Sequence, residues 1–184
     1  MTPGDEQMDS VMPAEVRCSN CGALVPDIAG PVHAYMHAAP GCWALYTALE
    51  DWKAAQAGGR PGGVDIGVHL VDSYAAQHAA NAERRNRQSV AVHLMSLCAA
   101  LEHGRSGAWR RRAMGAWTHR EYRLLEPRPP AFDTTIRDVA DAPGPARPGV
   151  VQAMAEATWG AWSVHHSQIR AWLAEIMSRG GSPS

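Results

Sequence analysis

Cys18 and Cys21 stand two residues apart in Cys18-Ser19-Asn20-Cys21-Gly22, a spacing that lets two thiolates grip one metal ion from a single tight turn. Gly22 suits such a turn because it takes positive φ without steric cost. A closed structural zinc site needs four ligands, so two more must come from elsewhere, and Cys42 is the obvious third. His33 and His37 compete for the fourth place. They are four apart and would share a face of any helical turn, so both can lie near the metal while one binds, and His33 is preferred. A redox pair would instead want a thioredoxin-like βαβ pattern around the two cysteines, and none is visible.

A second set of residues could do acid/base or ligand chemistry. On one expected helix His69 shares a face with Ile66 and Ser73, Asp72 follows three residues on, and His78 is four beyond Tyr74. His93 sits beside Val90 and Leu97 on another. His165 and His166 fall within the apolar arc that Val151, Met154, Trp162, Ile169, Trp172, Leu173 and Ile176 draw at about 100 degrees per residue. Three helices thus present histidine toward an interior. Converging imidazoles with an orienting carboxylate are what a bundle-borne metal or acid/base site requires. The plainer alternative is that each is a core-edge histidine satisfied by local backbone. Trp159, Trp162 and Trp172 read as core, and Cys98 as a small buried apolar residue.

These residues need helices to position them. The sequence predicts a loose leader over 1–15 and one helical domain over 16–179 that includes the knuckle, 18–42. Leu24 to Pro31 is a short strand or loop. Helices are expected over Cys42–Gln56, ended by the glycines of 58–63, then over about Asp65–Ala80 and Asn86–His103 with Gly104 as its cap. Another is expected from Gly107 to about Trp117, with the arginines 110–112 on a solvated face. Pro127, Pro129 and Pro130 enforce an extended crossing, Asp133-Thr134-Thr135 caps a short helix ending before Pro143, and a long last helix runs from Gly149 to about Arg179. The fold class is all-α: a four- or five-helix bundle with an N-terminal zinc-knuckle element.

With 184 residues, 46% of them hydrophobic and 19% charged, the chain can bury one sizeable core. The formal net charge of −1 gives no global field to attract nucleic acid or an acidic membrane. The arginines at 84, 85 and 87 read as a solvated loop. No apolar run approaches the roughly 20 residues that span a bilayer, and the acidic Asp5, Glu6 and Asp9 are unlike a signal peptide. Metal-ligand cysteines agree with a reducing compartment, so the expected location is the cytoplasm. Walker loop, GxGxxG, HExxH and nucleophile elbow are all absent.

Taken together, Cys18-x-x-Cys21-Gly22-Ala23, His33-Ala34-Tyr35, Gly41-Cys42-Trp43, Val71 to His78, Gln88 to Leu94, Trp162 to His166 and Ile169 to Leu173 resemble a bacterial family of unknown function. The resemblance spans about Cys18 to Leu173 and implies no activity. It includes His33 and does not require His37. A second likeness is to DinB-type four-helix metalloproteins, which hold a metal with histidines from several helices; their last-helix ligands tend to be four apart, whereas His165 and His166 are adjacent.

Two functional readings follow. The first is a small cytosolic helical protein whose zinc is mainly structural and which serves as a binding or regulatory module. The alternative is an enzyme acting on a small molecule through His69, Asp72, His78, His93, His165 and His166, with or without a second metal.

Overall fold

The computed structural model describes residues 14–56, 65–79 and 82–179. The expected leader lies outside them apart from its last two residues, and so does the glycine-rich stretch of 58–63.

The chain opens with a two-stranded antiparallel hairpin, β1 (Glu15–Arg17) and β2 (Leu24–Pro26), in the register Glu15 to Pro26, Val16 to Val25 and Arg17 to Leu24. Its turn is the Cys18–Gly22 segment. Gly22 N–H donates to the Cys18 carbonyl at 2.9 Å and Cys18 N–H to the Ala23 carbonyl at 2.8 Å, with Gly22 at φ 81°. Only a residue without Cβ takes that φ at no cost.

Helix follows: α1 (Pro40–Ala48), α2 (Glu50–Gln56), α3 (Ile66–Gln77), α4 (Arg84–Leu101), α5 (Gly107–Trp117), α6 (Ile136–Asp141), α7 (Arg147–Ala161) and α8 (His166–Arg179). The molecule is mostly helical, as expected, but with more and shorter helical segments than four or five. The helix expected over Cys42–Gln56 divides at Leu49, where Glu50 and Asp51 open a second helix with acidic residues in its first turn. Thr135 caps α6 in a reciprocal capping box with Asp138.

The long last helix is the larger departure. A 3₁₀ turn at Ser163–His165 separates α7 from α8. The two histidines sit at this corner. His166 Nε2 lies 2.8 Å from the Trp159 carbonyl with its ring stacked on the Trp159 indole, and His165 Nε2 lies 2.8 Å from the Pro127 carbonyl. The corner lets α7 pack on α3 while α8 packs on α4. An apolar stripe that resumes beyond a corner reads as one continuous helix in sequence.

Helix α3 is the centre of the arrangement. It packs on α4 and on α7, and from Val68 to Gln77 all but Val71 are buried. Around it lie two apolar clusters. Leu94, Leu97, Trp117, Trp162, Ile169 and Leu173 belong to one, and Val25, Cys42, Tyr46, Leu70, Tyr74, Ile136 and Met154 to the other. Phe132, from the proline-rich crossing, packs against both. The start of α1 lies tight on β2: a Cβ at Gly41 would meet the Pro26 carbonyl oxygen at 2.1 Å. That close approach seats Cys42 beside the hairpin turn.

Candidate metal centre

Cys18 and Cys21 come from the hairpin turn, Cys42 from the first turn of α1, and His78 from the C-terminal cap of α3. Their ligand atoms all lie within 4.8 Å of one another, and all four residues are buried. Cys42 Sγ is 3.8 Å from Cys21 Sγ and 3.3 Å from His78 Nε2, and Cys18 Sγ is 3.6 Å from His78 Nε2. Tetrahedral zinc, with Zn–S about 2.3 Å and Zn–N about 2.0–2.1 Å, sets sulfurs about 3.8 Å apart and sulfur from nitrogen about 3.5 Å apart. The observed separations are those of a cage one ion wide.

The surroundings fix the donors for that role. His78 Nδ1 is 2.7 Å from the Tyr74 carbonyl, which accepts its proton and leaves the Nε2 lone pair facing the sulfurs. The Tyr74 ring packs 4.1 Å from the imidazole and 4.2 Å from Tyr46, which stacks in turn on Trp43. Tyr74 O–H points at Cys42 Sγ from 3.8 Å, and burial pushes its phenol pKa up, so it stays a donor.

Without a cation the cluster is electrostatically frustrated. Contacts with Cys21 and Cys42 drive the Cys18 thiol far down toward thiolate, and the contacts of Cys42 with Cys18 and Cys21 push its own thiol far up. Burial opposes charge on His78, yet the neighbouring sulfurs Cys18 and Cys21 carry its pKa up to about 9. A divalent cation at the centre would take all three sulfurs as thiolates and displace the proton from His78, which resolves that conflict. The donor set fits a metal ion.

A model of a family of unknown function, DUF5946, matches residues 16–163. The chain belongs to that family. No curated protein and no solved structure matches it. The stretch that the DUF5946 model matches holds all four of the clustered donors and ends at the corner between α7 and α8.

His33 is not among the clustered donors. It lies in a turn bridged to Met36, accepts at Nδ1 from the Tyr35 N–H at 3.5 Å, and packs against Tyr35 and Trp43. His37 is exposed, and its carbonyl accepts from the Asn20 side chain. The structure thus puts His78 where the sequence suggested His33. Proximity in the chain favoured His33, whereas His78 is 36 residues from Cys42 and 60 from Cys18. The one available signal was Tyr74 and His78 sharing a helical face.

The expected histidine pocket divides three ways. His78 faces the cysteines, His165 and His166 bond to carbonyls at the α7–α8 corner, and His69, Asp72 and His93 converge. Asp72 is fully buried; its Oδ1 accepts from His93 Nδ1 at 2.8 Å and its Oδ2 from Ser96 Oγ at 2.5 Å and Arg110 at 2.8 Å. The second terminal nitrogen of Arg110 donates to His69 Nδ1 at 3.0 Å. Burial, and next the Arg110 charge, push the His69 pKa down, so it stays a neutral acceptor.

Arg110 corrects the expected solvated face of α5. It is 1% exposed, on the inward stripe of Gly107, Met114 and Trp117, while Arg111 pairs with Asp65 on the outside. The Arg84–Arg87 cluster also differs from expectation, standing on the first turn of α4 rather than in a loop.

Proposed function

We propose that this protein is a small helical zinc protein in which Cys18, Cys21, Cys42 and His78 hold one structural ion, and that it works as a binding module built on that scaffold. One observation carries the reading: four buried donors from three separate segments converge within 4.8 Å of one another, three of their separations being 3.3, 3.6 and 3.8 Å, close to those tetrahedral zinc requires. When bound, the ion would supply coordination energy that fastens the hairpin and α1 to the end of α3. Four protein ligands leave no open coordination position, which supports a structural over a catalytic ion. Zinc is favoured over other metals by three thiolates and an imidazole in tetrahedral array. Thiolate ligands also fit a reducing compartment, and no helix among the described residues is long and apolar enough to cross a membrane.

The test is metal analysis of protein purified without added metal, followed by thermal unfolding with and without a strong chelator. One zinc per chain, and a lower melting temperature on chelation, are the expected results. Absence of any bound transition metal, with Cys18→Ser melting like the parent chain, would overturn the proposal.

A further inference from the structure

His93 closes the Asp72 network on one side and opens on a pocket on the other. Its Nδ1–H donates to Asp72, so in the neutral ring it is Nε2 that carries the lone pair. Nε2 makes no hydrogen bond among the described residues, and the His93 side chain, 15% exposed, lines a surface pocket of about 260 Å³. Tyr35, Arg85, Ser89, Met114 and Thr118 share that wall.

Three features define what would sit there. No carboxylate lines the pocket, and its one cationic side chain is Arg85, exposed at the rim. Glu121 takes up the neighbouring guanidiniums of Arg84 and Arg87, whereas Arg85 enters no ion pair among the described residues. Behind the wall, Asp72 neutralises Arg110, so the charge facing the pocket is that of Arg85. Ser89, one helical turn before His93 on α4, has a buried hydroxyl without a protein partner. A held imidazole and an unopposed guanidinium lining one pocket are a pairing for an anion that also donates a hydrogen bond.

We propose that this pocket binds a small anionic hydroxy compound, a hydroxycarboxylate or a phosphate monoester, with its anionic group on Arg85 and its hydroxyl donating to Nε2 of His93. Asp72 is a positioning residue: it orients the imidazole and fixes its tautomer, and Arg110 and Ser96 fix Asp72 in turn. The site is separate from the Cys₃His cluster, so it stands or falls without the metal.

The experiment is a titration of the histidine ring ¹⁵N resonances of the zinc-replete protein with glycolate, acetate and inorganic phosphate. Glycolate or phosphate should perturb the His93 nitrogens saturably. Acetate, which lacks the hydroxyl, should bind about tenfold more weakly than glycolate, a typical loss for one hydrogen bond to a charged or buried partner. Arg85→Ala, a substitution of an exposed side chain that leaves the core untouched, should weaken the effective probe by about tenfold as well. Read on the backbone amide resonances of the α4 residues that line the pocket, the saturable shifts should be lost in His93→Gln while zinc content and circular dichroism stay those of the parent. A response to phosphate alone assigns the monoester class, and one to glycolate alone the hydroxycarboxylate class. No saturable response to either probe, equal affinity for acetate and glycolate, or undiminished binding in Arg85→Ala would each overturn the proposal.

Discussion

Helix α3 feeds two buried polar clusters of opposite construction. At its C-terminal end His78 meets three cysteines, and the four donor atoms lie within 4.8 Å of one another. Further up, Asp72 meets a guanidinium, a hydroxyl and an imidazole, so that both carboxylate oxygens are satisfied and the charge is balanced. The first cluster could be completed by a cation. The second is charge-balanced as protein: Asp72 is fully partnered, Arg110 Nε is left without a partner, and one edge opens where His93 meets the pocket. Buried polar groups must be paired, so donors that converge without pairing one another fit a ligand, while a set that balances its own charge is a fastening within the core.

That contrast can be broken by substitution. The largest effect is expected at the cysteines: Cys21→Ser should abolish zinc retention and cost on the order of 5 kcal/mol of stability, as loss of a structural metal does, read by metal content and urea unfolding. Arg110→Met should cost about 3–5 kcal/mol because it strands the Asp72 charge in the core, yet zinc content should stay at the parent level. Adding Asp72→Asn to Arg110→Met should then recover part of that loss in the same urea assay. If Arg110→Met stripped the metal as well, the two clusters would be one unit.

Acid sharpens the comparison. His69 is depressed by burial and by Arg110, so the folded chain resists its protonation while the unfolded chain does not. Stability should be intact above the ordinary histidine value of 6.5 and fall as pH drops below it, and His69→Gln should flatten that slope. The effect of replacing this acceptor is about 1–2 kcal/mol, measured by unfolding at a series of pH values on the zinc-loaded protein. The smallest effect belongs to the surface pair of Glu102 and Arg170. The Arg170 guanidinium holds the Glu102 pKa at about 2, below its ordinary 4.5. Its contribution is present above pH 4.5 and lost as pH falls toward 2, and solvent screening limits it to about 1 kcal/mol or less. The stability difference between the parent chain and Glu102→Gln should therefore vanish across that acidic window.

What could be read from the residues follows the range of the interactions. The CxxC turn and its glycine are local chemistry, and the bounds of α5 and the cap on α6 were legible for the same reason. The fourth donor was not, because His78 is brought to the cysteines by docking across the chain while His33 lies nearby in sequence. Periodicity placed His165 and His166 in an apolar arc, but it could not see the corner that turns them onto the carbonyls of Pro127 and Trp159. Arg110 was masked by its neighbours: three consecutive arginines look like a solvated face, and only the stripe of Gly107, Met114 and Trp117 shows that one of them turns inward. Asp72 was expected beside the imidazole of its own turn, His69, but it accepts from His93 on α4 while His69 faces Arg110, because the α3–α4 packing rather than the helical turn decides its partner.

The central claim is that the metal is held from the end of α3. It is tested most directly by zinc stoichiometry in two single variants measured side by side, His78→Ala and His33→Ala. About one zinc per chain is expected in the parent and in His33→Ala, with His78→Ala losing most of it. Full zinc in His78→Ala with loss in His33→Ala would contradict it.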